Sequence, residues 1–183
     1  TSREFEYYLL NKPKGVVTTT SDEKGRKTVV DLINTNTRIY PVGRLDYDTT
    51  GILILTNDGE LANLLMRPDS FVDKTYIAKI EGVITIGNIQ KLRKGVIIDG
   101  IKTKEAKVKL RSVDKKKNTS IVEITIHEGK NHQIKRMFEV LGYKVIKLTR
   151  IRIMNVQLGD LETGQYRKLT DEEVKKLNNQ LER

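Results

Sequence analysis

The stretch PVGRLDYDTTGILILT, residues 41–56, sets Arg44, Asp46 and Asp48 in a short polar segment directly ahead of an apolar run. A carboxylate on a tight connection, with an arginine two residues upstream, can act as a nucleophile or base, close an Asx turn, or ligate a metal. The metal reading is the poorest: Asp46 and Asp48 lack the further acidic positions of a calcium loop, and the chain has no cysteine and two histidines. With no cysteine there is also no thiolate nucleophile and no disulfide framework. No GxxxxGK run is present, which excludes a P-loop. Elsewhere, Tyr76 in KTYIAKI shares a strand face with Ala78 and Ile80, a pattern ordinarily seen in core packing. Lys135 and Arg136 in NHQIKRMF are types that ordinarily face solvent on a helix.

The elements that must hold these residues read as an α+β chain. FEYYLLNKPKG is a strand closed by a Pro/Gly turn, KTVVDLINT a short helix, ILILT a buried strand, and DGELANLLMRP a helix stopped by Pro68. KTYIAKI alternates as a strand and GNIQKLRKG is a helix ended by Gly95. KEAKVKLRSV and TSIVEITIHEG form a hairpin around the turn DKKKN, and LRSVDKKKNT is the one segment expected to be a mobile loop. NHQIKRMFEVLG places Ile134, Met137, Phe138 and Leu141 at helical spacing before Gly142, and YKVIKLTRIRI and RIRIMNVQL read as continuing strand. TDEEVKKLNNQL opens with Thr170 and Glu173 in capping-box positions.

At 183 residues the chain is expected to form one domain. It has no apolar run long enough to span a membrane and no secretory leader pattern, so the expectation is a soluble, cytoplasmic protein. Its net charge of +10 is concentrated: residues 91–155 hold 18 Lys/Arg against 6 Asp/Glu, and the remainder holds 16 against 18. Such an asymmetry is the footprint of a polyanion binder, with a solvated basic surface as the alternative.

Taken in order, LLNKPKGVVTTT, YPVGRLDYDTTGILILTNDGELANLLMRP, KTYIAKIEG, HEGKNHQIKRMFEVLGYKVIKLTRIRI and LETGQYRKLTDEE resemble the ribosomal-RNA pseudouridine synthases of the RsuA, RluB and RluF group. The resemblance implies Asp46 as the catalytic aspartate, Tyr76 as the residue lying against the uracil and a candidate proton acceptor, and Lys135 as the cation paired with the aspartate. Arg136 is the competing position for that cation. Arg44 is implied to fill the space of a flipped base, and Leu148 to wall the nucleotide pocket. Lys12 and Lys14 are candidate phosphate contacts or turn charges. Lys130, Asn131, His132 and Arg136 at the start of the basic helix are expected on RNA, and His127 has no assigned role. Members of this group commonly carry an S4-type RNA-binding module ahead of the catalytic domain. Nothing precedes FEYYLLNKPKG that fits one, so an isolated catalytic domain is expected. RIRIMNVQL is more similar to the branch acting on large-subunit RNA.

These residue types suit the implied reaction. Isomerising uridine to pseudouridine breaks the N1–C1′ bond, rotates the uracil and joins C5 to C1′, with neither a redox step nor a metal. An ionised aspartate can attack C1′, add to uracil C6, or abstract the 2′ proton to form a glycal, and the sequence leaves the three open. A nearby lysine opposes neutralisation of a desolvated carboxylate. Tyrosine offers a flat face and a phenol. The uridine must leave its stack, at a cost of a few kcal/mol.

The expectation is therefore an α+β pseudouridine synthase fold: a mixed, mainly antiparallel sheet with flanking helices, in two halves around a basic cleft holding Asp46. It acts as a monomer, without cofactor or metal, on ribosomal RNA, with 23S ahead of 16S and transfer RNA or pre-ribosomal particles as further partners. It has no membrane partner. The alternatives are a non-catalytic RNA-binding or ribosome-assembly factor on the same fold, and a metal-dependent nuclease, which the scarcity of clustered acids disfavours.

Overall fold

The computed structural model describes residues 4–67, 71–130 and 132–181. In chain order the elements are β1 (Tyr7–Lys12), a 3-10 helix (Val29–Leu32), β2 (Tyr40–Pro41), β3 (Thr50–Thr56), α1 (Gly59–Met66), β4 (Lys74–Glu81), α2 (Ile86–Lys94), β5 (Ile97–Ile98), β6 (Ile101–Lys102), β7 (Lys107–Asp114), β8 (Thr119–Ile126), α3 (Gln133–Val140), β9 (Lys144–Ile153), β10 (Val156–Gln157), β11 (Tyr166–Lys168) and α4 (Asp171–Leu181). The fold is α+β and its strand pairing mainly antiparallel. The chain divides into two compact units, residues 1–70 with 151–183, and residues 71–150. The stop expected at Pro68 lies outside the described residues.

In the first unit β1 is central, with Leu9 opposite Arg167 of β11 on one side and Ile54 of β3 on the other. All seven residues of β3 are buried, as a continuous apolar run covered on both faces requires. Helix α1 starts on Asp58, whose Oδ1 accepts the Leu61 N–H (3.1 Å) and whose Oδ2 accepts the Tyr7 hydroxyl (2.5 Å), tying the helix start to β1. Leu61 and Leu65, one turn apart, form its buried face. The capping box of α4 is present: Thr170 N–H donates to Glu173 (2.9 Å) and Glu173 N–H to Thr170 Oγ1 (3.1 Å).

Glu6, just before β1, accepts hydrogen bonds from the hydroxyls of Thr37, Tyr8 and Thr35. Those bonds, Thr37's first, hold its carboxyl down to about 2. Because the unfolded chain binds this proton more tightly, the stabilisation is complete above the unfolded value of 4.5 and is lost as pH falls toward about 2. Glu6→Gln is thus expected to melt below wild type at neutral pH, with the gap closing through that acidic window. A gap in melting temperature that stays constant with pH would show that the carboxylate's charge contributes nothing.

In the second unit the strand order is β9-β4-β8-β7. Tyr76 lies opposite Ile124, Ala78 opposite Val122, and Val108 of β7 opposite Ile124. This face is covered by Ile89 and Leu92 of α2 and by Ile134, Met137 and Phe138 of α3. Gly95, at φ +105°, ends α2 where a Cβ would stand 2.1 Å from the Thr103 carbonyl oxygen, so no other residue fits there.

Two local expectations are corrected. RIRIMNVQL is not one strand: the chain reverses at Met154 (φ +53°) and Asn155, and β10 folds back with Val156 opposite Ile153. LRSVDKKKNT is not a mobile loop: its flanks lie in β7 and β8, which pair up to Asp114 and Thr119, and the expected DKKKN turn between them is ordered by Asp114 Oδ1, which accepts the Lys117 N–H (3.1 Å).

Candidate active site

Asp46 lies on the eight-residue connection between β2 and β3, half-buried between buried Leu45 and exposed Tyr47. The connection leaves β2 through a Val42 N–H bond to Ile54 O (2.7 Å) and turns at Gly43 (φ +80°). Thr49 N–H donates to Asp46 O (3.0 Å), closing a turn across the aspartate. Leu45 is held through both its backbone groups: its N–H donates to Thr18 Oγ1 (3.2 Å) and the Thr18 hydroxyl donates to its carbonyl (2.7 Å). Tyr47 O receives the Gly15 N–H (3.1 Å) and the Lys12 ammonium (3.3 Å). The Arg26 guanidinium, paired with Asp22 at 3.0 Å, lies 5.6 Å over the Tyr47 ring.

Lys12 does not fit its expected place on RNA. It is 0 % exposed, with its ammonium on Pro13 O (3.0 Å) and Tyr47 O. Burial pushes it down to about 8, against the opposing pull of Asp48 and Asp46. The sequence places it beside Pro13 and Lys14 and leaves a phosphate contact and a turn charge both open; in the fold its ammonium reaches the Asp46 connection, more than thirty residues away. Lys14 and Arg44 are exposed.

The expected catalytic set divides between the units: Asp46 belongs to the first, and Tyr76, Lys135 and Leu148 to the second. Tyr76 is half-buried on β4 and packs against the core of its unit, where Leu148 is also buried. Lys74, two residues earlier and so on the same strand face, is a cation that sequence reasoning passed over within the KTY motif. Its ammonium stands 3.0 Å from where a Cβ on Gly129 would be, and burial, with the like charge of Arg150 second, pushes its pKa down.

Helix α3 begins later than expected, at Gln133, with His132 at its start in the left-handed region (φ 51°). Gln133 Oε1 accepts the Lys130 N–H (3.3 Å), and Gln133 N–H returns to Lys130 O (3.1 Å), which orders the entry to the helix. Lys130 and His132 are exposed, Lys135 and Arg136 half-buried, and Asn131 lies outside the described residues. The Arg136 guanidinium is taken by Asp99 on the β5–β6 turn (2.6 Å).

Among the described residues no group of three or more His, Cys, Asp or Glu side chains could hold a metal, and no helix is long and apolar enough to cross a membrane. An open pocket of about 570 Å³ in the first unit, lined by Glu6, Tyr8, Thr37 and Lys168 among others, contains none of the expected site residues. The Glu6 carboxylate there is occupied by hydroxyl donors.

Asp46 thus stands half-buried on a loop of the first unit held through the backbone on both sides, while Tyr76 and α3 belong to the second unit. Residues 6–140 match the model of the RNA pseudouridylate synthase family, and the chain belongs to that family. It is 53% identical over 172 residues to "Ribosomal large subunit pseudouridine synthase B" of Bacillus subtilis, covering 93% of this chain and 70% of that protein. It is 43% identical over 165 residues to "Dual-specificity RNA pseudouridine synthase RluF" of Salmonella typhi, covering 90% of this chain and 55% of that one. A crystal structure of a pseudouridylate synthase superposes with a TM-score of 0.84 at 35% identity, over 96% of this chain and 75% of the other.

Proposed function

We propose that this RNA pseudouridine synthase domain isomerises uridines of ribosomal RNA, 23S rather than 16S, with Asp46 as its catalytic carboxylate. The observation that carries the reading is the Asp46 loop, whose backbone is fixed on both sides of the aspartate, at Leu45 and at Tyr47. The likeness to a protein named for the large ribosomal subunit supports the choice of RNA. In the reaction the N1–C1′ bond breaks, the uracil turns, C5 bonds to C1′, the C5 proton leaves to a base and N1 gains one. Tyr76 is the candidate for accepting that proton. The reaction moves a bond within one nucleotide and consumes no oxidant, so the reading includes no cofactor or metal. It also has the domain acting as a cytoplasmic monomer, where ribosomal RNA is made. Arg44, Lys14, Lys130, His132 and Arg136 are RNA contacts and Leu148 a wall of the uracil pocket.

The test is site-resolved mapping of pseudouridine in unmodified 23S and 16S transcripts after incubation with the protein, by carbodiimide adducts and reverse transcription. A discrete stop in 23S alone is expected. Stops only in 16S would overturn the choice of RNA, and none in either would overturn the ribosomal reading.

Lys135 is proposed as the cation that keeps Asp46 ionised through the reaction. It is preferred over Arg136, whose guanidinium already has Asp99. Lys135→Met keeps most of the stem and removes the charge. The acidic limb of its pH–rate profile is expected to move to higher pH, because the mechanism needs the carboxylate. Lys135→Arg should move it less. A limb unmoved in Lys135→Met and shifted in Arg136→Met transfers the role to Arg136.

A further inference from the structure

The segment that leaves β1, residues 12–18, touches the Asp46 connection at the residue before the aspartate and at the residue after it. Before it, Thr18 both donates to and accepts from the backbone of Leu45 (2.7 and 3.2 Å). After it, Lys12 and the Gly15 N–H converge on the single carbonyl of Tyr47 (3.3 and 3.1 Å). Lys12 also donates to Pro13 O (3.0 Å), so its ammonium bridges the turn after β1 to the turn after Asp46. Neither side chain can take part from the surface: Lys12 is 0 % and Thr18 8 % exposed.

A buried ammonium is a costly way to fill space, and an apolar residue of the same volume would hold a merely structural turn more cheaply. The ammonium does what an apolar residue cannot, by adding a donor to the carbonyl of the residue that follows the aspartate. The reacting carboxylate must meet its target atom within a fraction of an ångström, and the supporting residues decide whether it does.

We propose that Lys12 and Thr18 are positioning residues for the reaction, fixing the backbone on either side of Asp46 so that its carboxylate is presented to the nucleotide in one orientation. This rests on the reading of Asp46 as the catalytic carboxylate. It assigns Lys12 a role in turnover rather than in RNA affinity, and brings in Thr18, which sits in the sequence as one of three consecutive threonines with nothing to mark it.

The test separates turnover from binding in Thr18→Val, Thr18→Ser and Lys12→Met, using an unmodified 23S transcript as the probe. Thr18→Val keeps the shape and deletes both bonds to Leu45. Lys12→Met keeps the stem and deletes the ammonium. Each is expected to lower kcat by about tenfold to a hundredfold, the scale of a small misplacement of a reacting group. Kd and its salt dependence are expected to stay at the wild-type values. Thr18→Ser keeps the hydroxyl and is expected to restore most of kcat, which a loss of packing would not allow. All rates are normalised to the folded fraction from circular dichroism, and the two Thr18 variants decide the matter should Lys12→Met fail to fold.

A weakened Kd in Lys12→Met, with a salt slope reduced by about one, would mean that Lys12 is a phosphate contact after all, and would overturn the proposal. So would wild-type kcat in Thr18→Val. If that occurs while Asp46→Asn is inactive, only the positioning role fails. If Asp46→Asn is itself active, the underlying reading has failed instead.

Discussion

Asp46→Asn is expected to lose pseudouridine formation by about a thousandfold or more while keeping its fold and its RNA affinity. Each of the three routes open to the carboxylate, attack at C1′, addition at C6 or removal of the 2′ proton, uses a charge or basicity that the amide lacks. The loop should survive the change, because the bonds that fix it run to the backbone of Leu45, to Tyr47 O and to Asp46's own carbonyl. Single-turnover rates on a 23S transcript, with melting and filter binding alongside, measure all three quantities. Activity within about tenfold of wild type would remove Asp46 from the chemistry, since a general base or nucleophile contributes more than that. Loss of binding together with activity would make it a recognition residue.

What the sequence could and could not tell divides along a physical line. Elements with several periods of pattern were legible: the apolar run of β3, the alternation of β4, the helical spacing in α3 and the capping box of α4. The β5–β6 hairpin was missed because two-residue strands have no periodicity to detect. Its Asp99-Gly100 turn, both residues at positive φ, was a signal available in VIIDGIK. The reversal at Met154 carried no such mark, since methionine has no preference for the left-handed region it adopts there. Asp46 was legible as a candidate because its motif is local. Its supports were not: a lysine beside a proline reads as surface, and only the fold reveals that Lys12 is buried and bonded to a connection distant in the chain. For the same reason the competition between Lys135 and Arg136 could not be weighed from the helix alone, as the Asp99 partner of Arg136 lies on the hairpin that sequence reasoning overlooked.

The second large effect expected is on RNA affinity as a function of salt. Residues 91–155 carry 18 Lys/Arg against 6 Asp/Glu, and in the second unit the cations of α2, of the outer strand β7 and of its turn are exposed. Not all are available for phosphates. Arg93 donates twice to Val108 O (3.1 and 2.8 Å) and so serves to fasten α2 to β7. Arg111 stands 3.3 Å from Glu123, a surface pair of small worth that RNA can outcompete. Lys107 and Lys109 alternate with Val108, so they share the sheet face opposite the core. If six or more of these cations meet phosphates, affinity falls by about a thousandfold or more between about 50 and 200 mM salt. Replacing Lys107, Lys109 and Arg111 together by Gln tests where on the unit the RNA backbone runs. If each of the three neutralises one phosphate, the triple variant flattens the slope of log K against log salt by about two to three, with the smaller figure for single-stranded RNA. An unchanged slope in the triple variant would place the RNA backbone away from β7, and a nearly flat slope in wild type would reduce the whole basic excess to a solvated surface.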